Sequence, residues 1–129
     1  MPGSYLLDTS IVIAALRGEP GIGERIAALP AIFLSVIALG ELRFGAHNSR
    51  QPEKNLIRVD SFARGCALLR CDQETASRYG ALKKRQGDRG KRLPENDLWI
   101  AATAEQHGLT LITRDRHFSE VDGLSVEPW

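Results

Sequence analysis

The sequence predicts an α/β domain built on a largely parallel sheet of about five strands flanked by helices. Three observations carry this. Short apolar runs alternate with amphipathic stretches along the chain, the pattern of strands joined by crossover helices. Helix-capping residue types stand directly behind two of those runs, at Asp8 and Ser35. And 129 residues with 43% hydrophobic content, free of repeats, low-complexity tracts or linkers, suit one domain spanning 1–129 with a core of its own.

The elements follow in order. Tyr5-Leu6-Leu7 reads as a first strand, and Asp8-Thr9-Ser10 opens a helix over 11–16 that stops at Gly18 and Pro20. A second helix is expected over 21–29, then a strand over 31–34 and, after the cap Ser35, a helix over 36–46. Pro52 opens a helix within 51–64 that closes near Gly65, and residues 67–69 form a short third strand. Asp72 caps a helix with Ala76, Tyr79 and Leu82 on one face, running out in a basic stretch that Gly87 and Gly90 make mobile. Pro94 fits the first position of a helix that reaches His107 and stops at Gly108. Strands over 109–113 and 124–126 complete the sheet.

Bulk properties narrow the function. A formal net charge of +1 excludes a globally basic nucleic-acid binder, so any basic surface must be local. Cys66 and Cys71 lack partners at metal-ligand spacing and read as buried or partly buried free thiols. The apolar stretch 27–39 is broken by Pro30 and Ser35 and is too short to span a membrane. With no targeting segment visible, a cytoplasmic protein is expected.

The placement of four acids points to chemistry. In an open parallel sheet, ligands bind beyond the C-terminal ends of the strands, where the following helices begin. Asp8 follows the first strand, Asp115 follows the fourth within two residues, and Asp97 lies in the first turn of the helix after Pro94. Glu41 is six residues past Ser35, about 9 Å along the helix axis, but shares a face with Ile37, Phe44 and Gly45 that is otherwise apolar or small. A carboxylate on a buried face needs a partner. Taken singly, Asp8 is more often a helix cap, Asp97 more often an acid meeting the helix dipole and Asp115 usually a turn or cap residue, while Glu41 divides evenly between a solvated helix position and a functional acid. Together they form an all-oxygen donor set suited to a hard divalent cation, and hydrolysis of a phosphodiester is the matching reaction.

The same residues carry a resemblance. Tyr5-Leu6-Leu7-Asp8-Thr9-Ser10, the Gly40-Glu41-Leu42 segment, the run from Pro94 through Asn96-Asp97-Leu98-Trp99 to Ala102, and Leu111-Ile112-Thr113-Arg114-Asp115 followed by Phe118 occur in one order over nearly the whole chain. In this the chain resembles the PIN-domain ribonucleases, particularly the VapC-type toxins of bacterial toxin–antitoxin pairs. The resemblance implies a five-stranded parallel sheet, Mg²⁺ or Mn²⁺ as cofactor, endoribonuclease activity on structured RNA, dimerisation, and inhibition by a cognate antitoxin. It carries the acidic roles to Asp8, Glu41, Asp97 and Asp115, and supporting roles to Thr113 and Asn96. Two departures stand out. Ser10 replaces a frequent Asn, which leaves it a hydrogen-bonding role, and Arg116-His117 follows Asp115 where relatives often carry another acidic or polar residue.

Residues 83–92 hold six basic side chains (Lys83, Lys84, Arg85, Arg89, Lys91 and Arg92) against one acid, Asp88. They are candidates for contact with an RNA backbone, and equally for a solvated helix end. Arg114 and Arg116 read as phosphate contacts or as balance for the acids. His47 and His117 read as surface residues, and His107 as a cation at a helix C-terminus. Trp99 reads as core, and the apolar surplus at Ile11, Ile13, Leu16 and Ile26 as core or a partner groove.

Two other functions compete. A phospho-receiver domain would need an acceptor Asp after its third strand and a Lys after its fifth. The third strand here ends Leu69-Arg70-Cys71-Asp72, and no Lys follows the fifth. A non-catalytic PIN-like RNA- or protein-binding module would be expected to have lost an acid, yet all four are present.

Overall fold

The computed structural model describes residues 3–129; Met1 and Pro2 of the expected domain lie outside the described residues. The elements are β1 (Ser4–Leu7), α1 (Thr9–Leu16), α2 (Ile22–Ala27), β2 (Ala31–Ser35), α3 (Val36–His47), α4 (Pro52–Arg64), β3 (Ala67–Leu69), α5 (Gln73–Asp88), α6 (Glu95–His107), β4 (Thr110–Thr113), a 3₁₀ turn (Arg116–Glu120) and β5 (Val126–Pro128). The strands make one sheet in the order β3-β2-β1-β4-β5, and every pair is parallel. The strand order reverses beside β1, between β2 and β4, where such folds open a crevice at the strands' C-terminal ends. No helix among the described residues is long and apolar enough to cross a membrane.

The central strands are built from side chains that want burial on both faces. Leu6, Leu7, Leu34, Leu111 and Ile112 of the strands are fully buried, and Ile11, Val12, Ile100 and Phe118 close over them from the helices and the 3₁₀ turn. Ala101, Ala102 and Ala104 are buried on α6, where small side chains let that helix lie close to its neighbours.

Local chemistry sets most boundaries. Ser35 accepts the Ala38 amide and starts α3. Asp72 and Thr75 form a reciprocal capping box at the start of α5. Gly108 ends α6 at φ 63, a conformation that costs glycine little.

Several expectations need correction. Pro94 is the N-cap of α6 rather than its first helical residue: its backbone is extended while its carbonyl accepts the Leu98 amide. The fifth strand lies at Val126–Pro128, because Leu124 gives its amide to Val121 in a turn through Gly123. The stretch around Gly87 is not a mobile loop. Gly87 lies inside α5, and the chain turns only at Gly90, at φ 70. Trp99 is half-buried rather than core, stacked on Tyr79 with ring centroids 3.9 Å apart. Cys66 is half-buried and gives its thiol to the Phe62 carbonyl, whereas Cys71 is exposed; both are free.

Candidate active site

Asp8 occupies the N-cap position of α1, but its side chain does not cap that helix. It is 5% exposed, and Oδ2 accepts the Thr113 hydroxyl at 2.6 Å and the Ser10 hydroxyl at 3.1 Å. Burial pushes its carboxyl up from the ordinary range, those two hydroxyls oppose the rise, and the charge of Glu41 adds to it. The bond from Thr113 joins the C-terminal ends of β1 and β4. The Asp115 amide donates to Thr113 Oγ1 at 3.0 Å, and the Arg114 amide donates to Ser10 Oγ at 3.3 Å. Asp8, Ser10, Thr113 and the 113–115 backbone therefore form one hydrogen-bonded unit.

Glu41 reaches the same edge from α3. Its Oε1 accepts the Thr9 hydroxyl at 2.8 Å, and its Oε2 accepts the Asn96 amide at 3.3 Å. The face it shares with Ile37, Phe44 and Gly45 is not buried, contrary to the sequence reading: Phe44 is 71% exposed and Gly45 is exposed. Glu41 is thus oriented by Thr9 and Asn96 rather than by burial.

Asp97 stands half-buried in the first turn of α6. Its carboxyl is pushed up to about 6, first by burial and then by the negative charges of Asp8, Asp115 and Glu41, with His117 opposing. All four predicted acids therefore act on one electrostatic site. Asp115 caps the 3₁₀ turn by accepting the His117 amide at 2.9 Å, and the His117 imidazole Nδ1 lies 2.9 Å from the same carboxylate oxygen. His117 is exposed, as expected, but borders the site through that contact.

The sequence reading missed Thr9 as a site residue, assigning it only to the helix cap; its place between Asp8 and Ser10 was the available signal. Arg114 was expected near phosphate or the acids. Its side chain turns away, forking onto both carboxylate oxygens of Glu19 and donating from Nε to the Trp129 carbonyl at 3.0 Å. Arg116 is exposed.

The basic candidates lie on α5 and the turn after it. Lys83 pairs with Glu95 at 2.9 Å, Lys84 with Asp88 at 2.9 Å, Arg85 with Glu105 at 3.3 Å, and Arg89 with Asp122. Lys91 and Arg92 are exposed, and their side chains have no partner among the described residues. A second surface feature adjoins Glu41. Ile13 and Leu16 of α1, Leu42 and Ala46 of α3 and Val59 of α4 line an apolar cavity of about 250 Å³, with Glu41 at its wall and Arg17 and Arg58 beside it. Ile11 and Ile26 of the apolar surplus are core.

The donor set is four carboxylates with hydroxyl and amide neighbours, all oxygen chemistry on the acid side. Among the described residues, no three Asp, Glu, His or Cys side chains stand close enough to form a ready-made cage for one ion. Carboxylate oxygens are the ligand type that a hard divalent cation takes. After burial, the charges of Asp8, Asp115 and Glu41 add to the rise at Asp97, a like-charge repulsion that a cation would relieve.

Comparison with known proteins identifies the family. The PIN-domain family profile matches residues 5–124. Over 128 residues the chain is 34% identical to Ribonuclease VapC2 of Haemophilus influenzae, covering 97% of each. It is 30% identical to the tRNA(fMet)-specific endonuclease VapC of Shigella flexneri, again over 97% of each. Among solved structures, VapBC2 from Rickettsia felis bound to a DNA fragment from its promoter superposes with a TM-score of 0.92 at 27% identity, covering 98% of both chains. DNA-bound VapBC from Salmonella typhimurium superposes with a TM-score of 0.91 at 30% identity and the same coverage. With a matching profile over nearly its whole length, and relatives as similar along their whole length, the chain belongs to the PIN-domain family.

Proposed function

We propose that this protein is a metal-dependent endoribonuclease, the toxin of a toxin–antitoxin pair, which cuts RNA at the edge formed by Asp8, Glu41, Asp97 and Asp115. The observation that carries it is the convergence of these four acids: the Asp97 carboxyl, pushed up to about 6 first by burial, is raised further by the charges of Asp8, Asp115 and Glu41. Relatives named as ribonucleases and a tRNA-specific endonuclease support the substrate class.

Each residue has a part. Thr113 and Ser10 fix the Asp8 carboxylate in a buried, water-poor position. Thr9 and Asn96 aim Glu41 from the opposite side. Asp97 enters from the start of α6, and Asp115 from the end of β4. Asp8 and Asp97 would hold Mg²⁺ or Mn²⁺, with Glu41 and Asp115 completing its surroundings. When bound, such an ion would supply positive charge to the phosphoryl oxygens and acidify water at the site.

The partner reading rests on the cavity between α1, α3 and α4. An apolar groove flanked by Arg17 and Arg58 accepts the apolar face of an amphipathic helix, and similar proteins of known structure are toxin–antitoxin complexes. An antitoxin seated there would lie against Glu41. A homodimer is part of the same reading.

The test is incubation of the purified, antitoxin-free chain with total cellular RNA and Mg²⁺ or Mn²⁺, beside EDTA and Asp97→Asn controls. Discrete fragments that disappear in both controls are expected. Fragments that persist in both would remove these four acids from the mechanism.

A further inference from the structure

An acid cluster repels the polyanion it is meant to cut, so a nuclease of net charge +1 needs local cations to hold its substrate. α5 and the turn behind it supply them in an organised form. Gln86 is 1% exposed, and its side-chain amide donates to the carbonyls of Lys91 at 3.0 Å and Glu120 at 3.2 Å. The Lys91 amide returns a bond to the Gln86 carbonyl at 2.9 Å, and Arg89 is paired with Asp122. The turn is thus pinned from beneath, while the Lys91 and Arg92 side chains project without partners among the described residues.

Beside it lies a cleft of about 520 Å³ with Lys83, Lys84 and Arg92 on its walls, Leu93 and Leu98 among its lining, and Glu95 and Asp88 paired to the two lysines. Exposed pairs of this kind contribute little, so phosphate can compete for either lysine. Glu95 and Asp97 belong to the same first turn of α6, two residues apart and so on roughly opposite sides of the helix. The cleft and the acid edge therefore lie on either side of one helix start.

Given the ribonuclease reading, we infer that the pinned turn and this cleft form a phosphate-binding subsite that holds the RNA backbone a short distance from the bond being cut, with Lys91 and Arg92 as its principal contacts. A pinned turn loses less freedom on binding than a mobile one, which is why Gln86 matters to it.

The experiment measures binding of a fluorescein-labelled single-stranded RNA 20-mer to full-length Asp97→Asn protein in Mg²⁺ over a KCl series. Lys91→Ala/Arg92→Ala in that background is expected to bind about tenfold more weakly. Its salt slope should fall by about 1.4, from roughly 0.7 per phosphate contact on a single strand. Lys91→Arg/Arg92→Lys keeps the slope, and Lys54→Ala, an exposed cation on α4, leaves it unchanged. An unchanged slope in the double alanine variant, or an equal loss in Lys54→Ala, overturns the subsite, as does a parent that binds no RNA. Cleavage by the wild-type chain with an unchanged slope sinks the subsite alone. A lost slope with no cleavage sinks the nuclease reading and leaves the subsite standing.

Discussion

The Thr113 hydroxyl donates to Asp8 Oδ2 across 2.6 Å and ties the ends of two adjacent parallel strands whose residues lie 105 apart in sequence. Thr113 is 2% exposed and also accepts the Asp115 amide, so one oxygen sets two of the four acids.

Thr113→Val keeps the shape and removes that oxygen. Asp8 then loses a donor in a buried setting, and the Asp115 amide loses its acceptor. The expected cost is about 1–3 kcal/mol of stability, the range for a buried polar group left unpaired. Cleavage should fall at least tenfold, and Thr113→Ser should recover most of both. Urea melts and single-turnover cleavage measure the two effects, and full activity in Thr113→Val would remove Thr113 from the site.

The Asp97 carboxyl gives a pH dependence with a definite sign. In the fold it holds its proton to about 6, against 3.8 for the ordinary group. Between those values the folded chain binds more protons than the unfolded chain, so stability falls as the pH rises through that window. Asp8 is raised as well and acts in the same direction. For a half-exposed, screened group the Asp97 contribution is about 1 kcal/mol. Metal-free protein in EDTA should therefore melt higher near pH 5 than near pH 7 in this respect, and Asp97→Asn should flatten the difference. Added Mg²⁺ should raise the melting temperature more at the higher pH, where no proton competes for the carboxylate. Equal Mg²⁺ shifts at both pH values would argue against Asp97 as a ligand.

Much of this arrangement was legible in the sequence because it follows from strand ends. Asp8 and Asp115 sit where apolar runs stop, and Asp97 sits where Pro94 starts a helix, so all three could be sent to one edge without knowing the pairing. The orientation of Glu41 was not legible: its partners Thr9 and Asn96 lie 32 and 55 residues away, and such contacts leave no periodic trace. The same holds for Arg114, whose neighbour in sequence is an acid but whose partner is Glu19, 95 residues away. The order of the turn at Gly90 is not legible because glycine content reports freedom of the unfolded chain, while the pin from Gln86 also ties the turn to the Glu120 carbonyl, 34 residues away.

Arg114 and Glu19 illustrate the difference between charge and contact. The pair is exposed, and each partner shifts the other toward its charged form, Glu19 downward and Arg114 upward. Exposed pairs add little, and a forked arginine–carboxylate pair stands at the upper end of their range. Arg114→Ala and Glu19→Ala should each move the melting temperature by only a few degrees, with a coupling in the double variant that fades in high salt. Neither should change the salt slope of RNA binding, because the guanidinium is turned from the acids toward Glu19 and Trp129. A slope reduced by about 0.7 in Arg114→Ala would show instead that Arg114 meets phosphate.

Glu41 separates orientation from charge. Glu41→Gln keeps the length of the side chain and can still accept the Thr9 hydroxyl, but removes a negative charge from the field at Asp97. Stability without metal should hold or rise, while cleavage falls on the order of a hundredfold if the charge itself is needed at the metal. Thr9→Val does the reverse: the charge stays and its aim is lost, so cleavage should drop about tenfold with little change in stability. The discriminating quantity is Mn²⁺ affinity by calorimetry. It should weaken clearly in Glu41→Gln and only slightly in Thr9→Val. Equal weakening in both variants would mean that the hydrogen bond from Thr9, rather than the charge of Glu41, governs how the site holds its ion.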